Sequence, residues 1–277
     1  MNNSSLLTRV FSKKTFQEII RDGESDTYNH AVERYISHNI KLTNKDYIRR
    51  MYDILKKNYR NEYYYKNTLL NKLLLGVHSV KTTTALTELP VDKSIADFIL
   101  INGKAVVYEI KTDLDNFDRL DSQIADYYKA FSRVVVVTSE NNFIPLTKIL
   151  EGSPVGIYVL TKRGQLSLRK PPVEDKMNLS SRVMFKILRK KEYEEIIIQE
   201  YGKLPNVSDF EYYSKNEELF CRLSVNKAYE LFIKMLKKRG ANAGEVLRSI
   251  PTEISFIVYF SMYNKNAYKK LNNFLNQ

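Results

Sequence analysis

Three charged side chains, Asp97, Glu109 and Lys111, interrupt two apolar stretches of the sequence. Burying such groups costs several kcal/mol each unless they pair with one another or hold a metal. Two carboxylates supply the hard oxygen ligands that Mg²⁺ prefers, and an ammonium beside them can neutralise charge developing on a phosphate. These residue types favour metal-dependent chemistry on a phosphate ester. The alternative is a buried ion pair of Lys111 with Asp97 or Glu109, without chemistry.

A β-hairpin must position these residues. The stretches 94–101 and 104–111 flank an Asn102-Gly103 pair, which is the strongest short-range signal for a hairpin. Both stretches are apolar at successive positions, so both strands should lie in the middle of a sheet that is covered on both faces. The sequence therefore predicts Asp97 on the first strand, and Glu109 and Lys111 on the second.

The length of the hairpin connection decides whether the two carboxylates meet. A regular two-residue turn pairs Asp97 with Tyr108, and Glu109 then faces the other side of the sheet because side chains alternate. A three-residue loop that ends at a left-handed Gly103 gives an odd-length connection instead. Asp97 then lies opposite Val107 and diagonal to Glu109, on one face. A shared metal site requires this odd length or a bulge.

The hairpin resembles the PD-(D/E)XK nuclease superfamily, the restriction-endonuclease-like fold, in a stand-alone bacterial form with helical flanks. Asp97 matches the Asp of the first half-motif, and Glu109-Ile110-Lys111 matches the (D/E)XK half-motif. Ala96 replaces the eponymous Pro, at a position that tolerates variation because only the carboxylate binds metal. The resemblance covers about residues 58 to 169, and a helix and an apolar strand follow the motif as in many members.

The resemblance implies a Mg²⁺ or Mn²⁺ cofactor. Its ligands would be the carboxylates of Asp97 and Glu109 and the main-chain carbonyl of Ile110. A helix before the sheet often supplies another acidic ligand in that fold, and Glu62 is the candidate. The alternative for Glu62 is a favourable interaction with the positive end of its own helix. Glu88, on the predicted first strand, is the second choice if Glu62 points away.

The same resemblance assigns roles around the metal. Lys111 would stabilise the charge that develops on the phosphate or help to orient the attacking water. Gln123, on the helix after the motif, would position Lys111 or contact the scissile phosphate. Gln123 and Tyr127 are four residues apart and share one face of that helix. Tyr127 and Lys129 are the predicted nucleic-acid contacts.

Length and composition indicate a globular chain. It has 277 residues, of which 43% are hydrophobic and 27% charged, enough for a sizeable core. No apolar run is long enough to span a bilayer, and the first residues lack the pattern of a signal peptide. The single cysteine, Cys221, excludes an internal disulfide and favours a reducing, cytoplasmic location. With three scattered histidines it cannot build a structural zinc site.

The chain is strongly basic. Its 44 Lys and Arg exceed its 32 Asp and Glu by 12, which favours a polyanionic partner such as nucleic acid. With the nuclease resemblance, DNA is expected ahead of RNA, and no membrane partner is expected because no apolar run could span one. The alternative is a lysine-rich solvated surface. Along the sequence the excess is spread out, without a concentrated basic arm. The oligomeric state is left open, with a homodimer as one option.

The predicted fold is α/β, a restriction-endonuclease-like mixed sheet flanked by helices. Residues 1–57 should form a helical N-terminal region, 58–170 the nuclease-like core and 171–277 a helical C-terminal domain of unassigned role. Lys170-Pro171-Pro172 is the clearest boundary signal. The expected function is metal-dependent hydrolysis of phosphodiester bonds. The alternative is a module of the same fold that binds nucleic acid or a partner with little catalysis, in phage defence or a mobile element.

Overall fold

A computed structural model describes residues 3–36, 42–76, 82–240, 247 and 249–277. The chain divides into two compact units. The helical unit combines Met1–Lys81 with Ala241–Gln277, and the sheet unit comprises Thr82–Gly240. Within the described residues, no helix has the length and apolar character needed to cross a membrane.

The helical unit is built from amphipathic helices with strong N-terminal caps. Thr43 and Asp46 form a reciprocal capping box at the start of α4, and Ile48, Met51 and Leu55 form its buried stripe. The helices are α1 (Asn3–Val10), α2 (Lys13–Asp22), α3 (Asp26–Tyr35), α4 (Asn44–Asn58), α5 (Glu62–Leu69) with a π-helical continuation (Leu70–Leu75), a 3₁₀ turn (Thr252–Ile254), α12 (Ser255–Ser261) and α13 (Lys265–Leu275).

Asn67 ties the two ends of the chain together inside the helical unit. It is 1% exposed. Its amide nitrogen donates to the Tyr52 hydroxyl at 2.9 Å and to the Thr252 carbonyl at 3.0 Å, and its amide oxygen accepts from the Phe256 N–H at 3.0 Å. These hydrogen bonds satisfy backbone groups of the C-terminal segment that would be costly to leave unpaired in the core.

The sheet unit contains an open six-stranded mixed sheet with the strand order β1-β2-β3-β4-β5-β6. The β3–β4 and β4–β5 pairs are parallel, and the other pairs are antiparallel. The elements are β1 (Thr84–Val91), β2 (Ser94–Asn102), β3 (Lys104–Lys111), α6 (Leu120–Tyr128), β4 (Val134–Ser139), α7 (Glu140–Ile149), β5 (Gly156–Leu160), β6 (Leu166–Lys170), α8 (Ser181–Ile187), α9 (Lys190–Tyr201), α10 (Asp209–Cys221) and α11 (Val225–Lys238). The mixed α/β class predicted from the sequence is confirmed.

The compact units do not divide the chain at the predicted boundaries, 57/58 and 170/171. Helices α8 to α11, which follow Pro172, belong to the sheet unit, because Phe185, Ile196 and Phe232 share one buried cluster with Val107 and Val136 of the sheet. The Pro-Pro pair marks the end of β6 and not the end of a unit. The last 37 residues return to the N-terminal helices instead.

Candidate active site

The β2–β3 hairpin has the odd-length connection that a shared site requires. Asn102 pairs with Lys104, and only Gly103, with φ of +65°, lies outside the pairing. The register differs from the predicted one by two residues, because the strands stay paired right up to Gly103. The last pair of the ladder is Phe98 with Tyr108. When the register is continued by one more pair, Asp97 lies directly opposite Glu109, whereas the sequence predicted that the two residues would be diagonal to each other. Both side chains therefore share one face.

Asp97 lies where the β2–β3 ladder ends. Its half-buried carboxylate accepts a hydrogen bond from the Ile110 N–H at 2.8 Å through Oδ2. On β3, the Val107 N–H donates toward β4, to the carbonyl of Arg133. Since alternate residues of a strand direct their backbone groups to opposite neighbours, the carbonyl of Ile110 faces the β2 side. The Asp97 carboxylate and the Ile110 carbonyl therefore lie on the same side of β3.

Glu109 and Lys111 form a buried ion pair. They are 2% and 8% exposed, and the Lys111 Nζ lies 3.1 Å from Glu109 Oε1. The ammonium also donates to Gln123 Oε1 at 2.8 Å. This is the contact that the first of the two predicted roles of Gln123, positioning Lys111, requires. Helix α6 thus fixes the ammonium beside the carboxylate.

Tyr127 is buried against Glu109, a contact that the sequence did not predict. It is 0% exposed, and its hydroxyl lies 2.6 Å from Glu109 Oε2 and 2.8 Å from the carbonyl oxygen of Ile95. Burial, and then the charge of Glu109, raise the pKa of the Tyr127 phenol far above its ordinary value, so it stays protonated and serves as a donor. The ring has no surface on which a base could stack, which corrects its predicted role as a nucleic-acid contact. The four-residue spacing between Gln123 and Tyr127, which places both on one face of α6, is the sequence feature that could have indicated the position of Tyr127.

Lys129, the other predicted nucleic-acid contact, is held by two carboxylates. Its ammonium pairs with Asp126 at 2.8 Å and also contacts Asp92. Hydrogen bonds to these two groups raise the pKa of Lys129. A contact with phosphate would have to compete with both pairs, and this role stays a prediction.

The two candidates for a third acidic ligand belong to different compact units. Glu62 belongs to the helical unit, is 57% exposed at its side chain and pairs with Lys66 at 2.6 Å. Glu88 lies on β1 with φ of +52°, at the one position that interrupts the pairing between Thr87–Phe98 and Leu89–Ala96. Over the described ranges, no three His, Cys, Asp or Glu residues come close enough to hold a metal together.

The remaining oxygen donors fit a magnesium-type ion in their chemistry. Asp97, Glu109 and the carbonyl of Ile110 are hard ligands, and Mg²⁺ commonly uses only one or two carboxylates while it keeps several waters. Asp97 and Glu109 share one face, and the Ile110 carbonyl lies on the Asp97 side of β3. Both oxygens of Glu109 are engaged, one by Lys111 and one by Tyr127. Ligation by Glu109 would therefore have to share or replace one of these contacts.

Changing Tyr127 to Phe should lower the free energy of unfolding by about 1–3 kcal/mol, because the one hydroxyl proton that lies between the buried Glu109 Oε2 and the Ile95 carbonyl is lost. Tyr128→Phe is the matched control. Tyr128 is a neighbouring buried tyrosine whose hydroxyl has no hydrogen-bond partner within the described part of the chain, so its removal should cost nothing. Urea unfolding of both variants measures the difference, and equal effects would contradict the assigned contact.

Comparison with known proteins identifies one family. The family described as Bacteriophage P4 protein cII matches residues 55–255, about three quarters of the chain. The match includes the whole sheet unit, with Asp97, Glu109, Lys111, Gln123 and Tyr127. No curated protein and no solved structure matches the chain. The chain belongs to the bacteriophage P4 protein cII family.

Proposed function

We propose that this chain is a metal-dependent nuclease that hydrolyses phosphodiester bonds, with DNA expected ahead of RNA. One observation carries the proposal. The odd-length hairpin puts Asp97 and Glu109 opposite each other on one face, and Lys111, held by Gln123, lies beside them. Neither α6 nor the hairpin needs such a set of charges for its own stability, because buried ion pairs seldom stabilise more than apolar residues would.

Hydrolysis of a phosphodiester needs an activated water and neutralisation of charge on the phosphate. A Mg²⁺ or Mn²⁺ ion held by Asp97, Glu109 and the carbonyl of Ile110 would supply both when bound. Lys111 has three N–H donors, and its two contacts go to Glu109 and Gln123. One donor therefore remains for a phosphate oxygen. Gln123 limits the motion of the ammonium, so that little reorganisation is needed as charge develops.

The contacts of the Glu109 carboxylate favour a second candidate function. Both of its oxygens are satisfied by Lys111 and Tyr127, and a protein can keep such a pair as a purely structural element. The chain would then be a module that binds nucleic acid or a partner with little catalysis. Membership of a phage protein family supports a role in phage or mobile-element biology for either function. A cytoplasmic location stays a prediction, which the unpaired, exposed Cys221 supports.

A cleavage assay distinguishes the nuclease from the binding module. The wild-type protein is incubated with linear, supercoiled and single-stranded DNA and with RNA, each with Mg²⁺, Mn²⁺, Ca²⁺ or a chelator. A nuclease should cut with Mg²⁺ or Mn²⁺ and lose activity in chelator. Ca²⁺ should support binding but little cleavage, because it accepts a looser coordination geometry. Absence of cleavage under every metal would leave the binding module as the function.

A further inference from the structure

Most of the net positive charge of the chain belongs to the helical unit. The two segments of that unit carry 19 Lys and Arg against 10 Asp and Glu, whereas the sheet unit carries 25 against 22. Nine of the twelve net positive charges therefore belong to the smaller unit, which has 118 of the 277 residues. Seven of these nine come from residues 1–81, which carry 15 Lys and Arg against 8 Asp and Glu, and two come from residues 241–277, which carry 4 against 2.

Helix α4 presents a basic face to solvent. At about 100° per residue, Arg49, Arg50, Lys56 and Lys57 fall within an arc of about 120°, with Asp53 near its middle. Arg49, Arg50, Asp53 and Lys57 are exposed, and Lys56 is half-buried. The buried stripe of α4 lies on the opposite side of the helix. Asp46, in the first turn of the helix, falls within the same arc, so the face carries four cations and two anions.

Most of these cations are not neutralised by the protein itself. Arg49 approaches Asp46 and Glu253 only at 3.8 and 3.7 Å. Arg50, Lys56 and Lys57 form no ion pair with any residue of the described ranges. Exposed cations at this density repel one another, and a polyanion relieves that repulsion and releases its own counterions on binding.

We propose that the basic face of α4 binds the phosphate backbone of nucleic acid, independently of base sequence. The binding surface lies in the helical unit, whereas Asp97 and Glu109 lie in the sheet unit. The proposal does not require the sheet unit to cut. A phosphate backbone fits this face better than a membrane surface does. An interfacial helix inserts apolar side chains, and Ile48, Met51 and Leu55 of α4 are each 0% exposed.

The test compares two triple variants of equal charge in the full-length chain. The first is Arg50→Gln, Lys56→Gln, Lys57→Gln on α4. The control is Lys186→Gln, Lys191→Gln, Lys203→Gln, three exposed lysines of the sheet unit without ion pairs to described residues. Both carry Asp97→Ala and are studied in chelator, so that the probe, a short duplex DNA with a fluorescent label, stays intact.

The α4 variant should bind the duplex at least about tenfold more weakly than its parent. The slope of log affinity against log salt should fall by about 0.9 for each phosphate that the variant no longer neutralises, between about 50 and about 200 mM salt. The control should keep the parental slope. Asp53→Asn should act in the opposite direction and tighten binding, a gain that a folding defect cannot produce.

Equal losses of affinity in the two triple variants would overturn the proposal, because total charge and not the α4 face would then govern binding. Unchanged binding in the α4 variant would also overturn it. So would α4-dependent binding to vesicles containing phosphatidylserine with no binding to DNA. A protein that binds DNA through α4 but never cuts it would remove the nuclease proposal and leave this one standing.

Discussion

Substitution of Asp97 by Ala should reduce metal-dependent cleavage to the background rate while nucleic-acid binding persists. The variant lacks one of the two carboxylates that the hairpin register places on one face. A bound metal contributes several kcal/mol of charge stabilisation, and each 1.36 kcal/mol is a factor of ten in rate, so the rate should fall by about 1000-fold or more. Binding should remain because most affinity comes from phosphate contacts elsewhere.

The control for this variant is Asp118→Ala, which removes an exposed acidic residue from the loop between β3 and α6. It should cut as fast as wild type. The fold of the Asp97 variant is checked by urea unfolding, where removal of the hydrogen bond from the Ile110 N–H should cost about 1 kcal/mol. An Asp97 variant that cuts as well as wild type would exclude this carboxylate from the chemistry and support the binding module.

Substitution of Lys111 by Met should have two large effects that can be measured separately. The cleavage rate should fall by about 100- to 1000-fold, the range found when one preorganised electrostatic donor is removed. The metal-free protein should also lose about 3–5 kcal/mol of stability, because Glu109 is left buried without its cation. Added Mg²⁺ should restore more stability to this variant than to wild type, since the ion replaces the missing positive charge.

A double variant separates the two effects of Lys111. Glu109→Gln combined with Lys111→Met removes both members of the ion pair, so no unpaired charge stays buried and most of the stability should return. Cleavage should not recover with the stability, and the response of stability to Mg²⁺ should disappear. If Lys111→Met instead unfolds at the same urea concentration as wild type, the buried pair at 3.1 Å does not hold the site together in solution.

The sequence by itself determined the hairpin and the need for an odd-length connection. Both follow from short-range chemistry. Asn102-Gly103 favours a tight reversal, and the strict alternation of side chains along a strand dictates which lengths place Asp97 and Glu109 on one face. The parallel pairing of β3 with β4 was predictable for a similar reason, because a helix separates two apolar strands along the chain.

Only the tertiary structure decided the register, the partners of Glu109 and the division into units. Asp97 lies opposite Glu109 because the strands pair as far as Asn102 and Lys104, which turn propensity alone does not dictate. The hydroxyl of Tyr127 reaches Glu109 because α6 packs against the sheet. The C-terminal segment belongs to the helical unit, where Asn67 hydrogen-bonds to Thr252 and Phe256. The contact of Tyr127 with Glu109 and the division into units depend on contacts between residues distant in sequence, which no local pattern encodes.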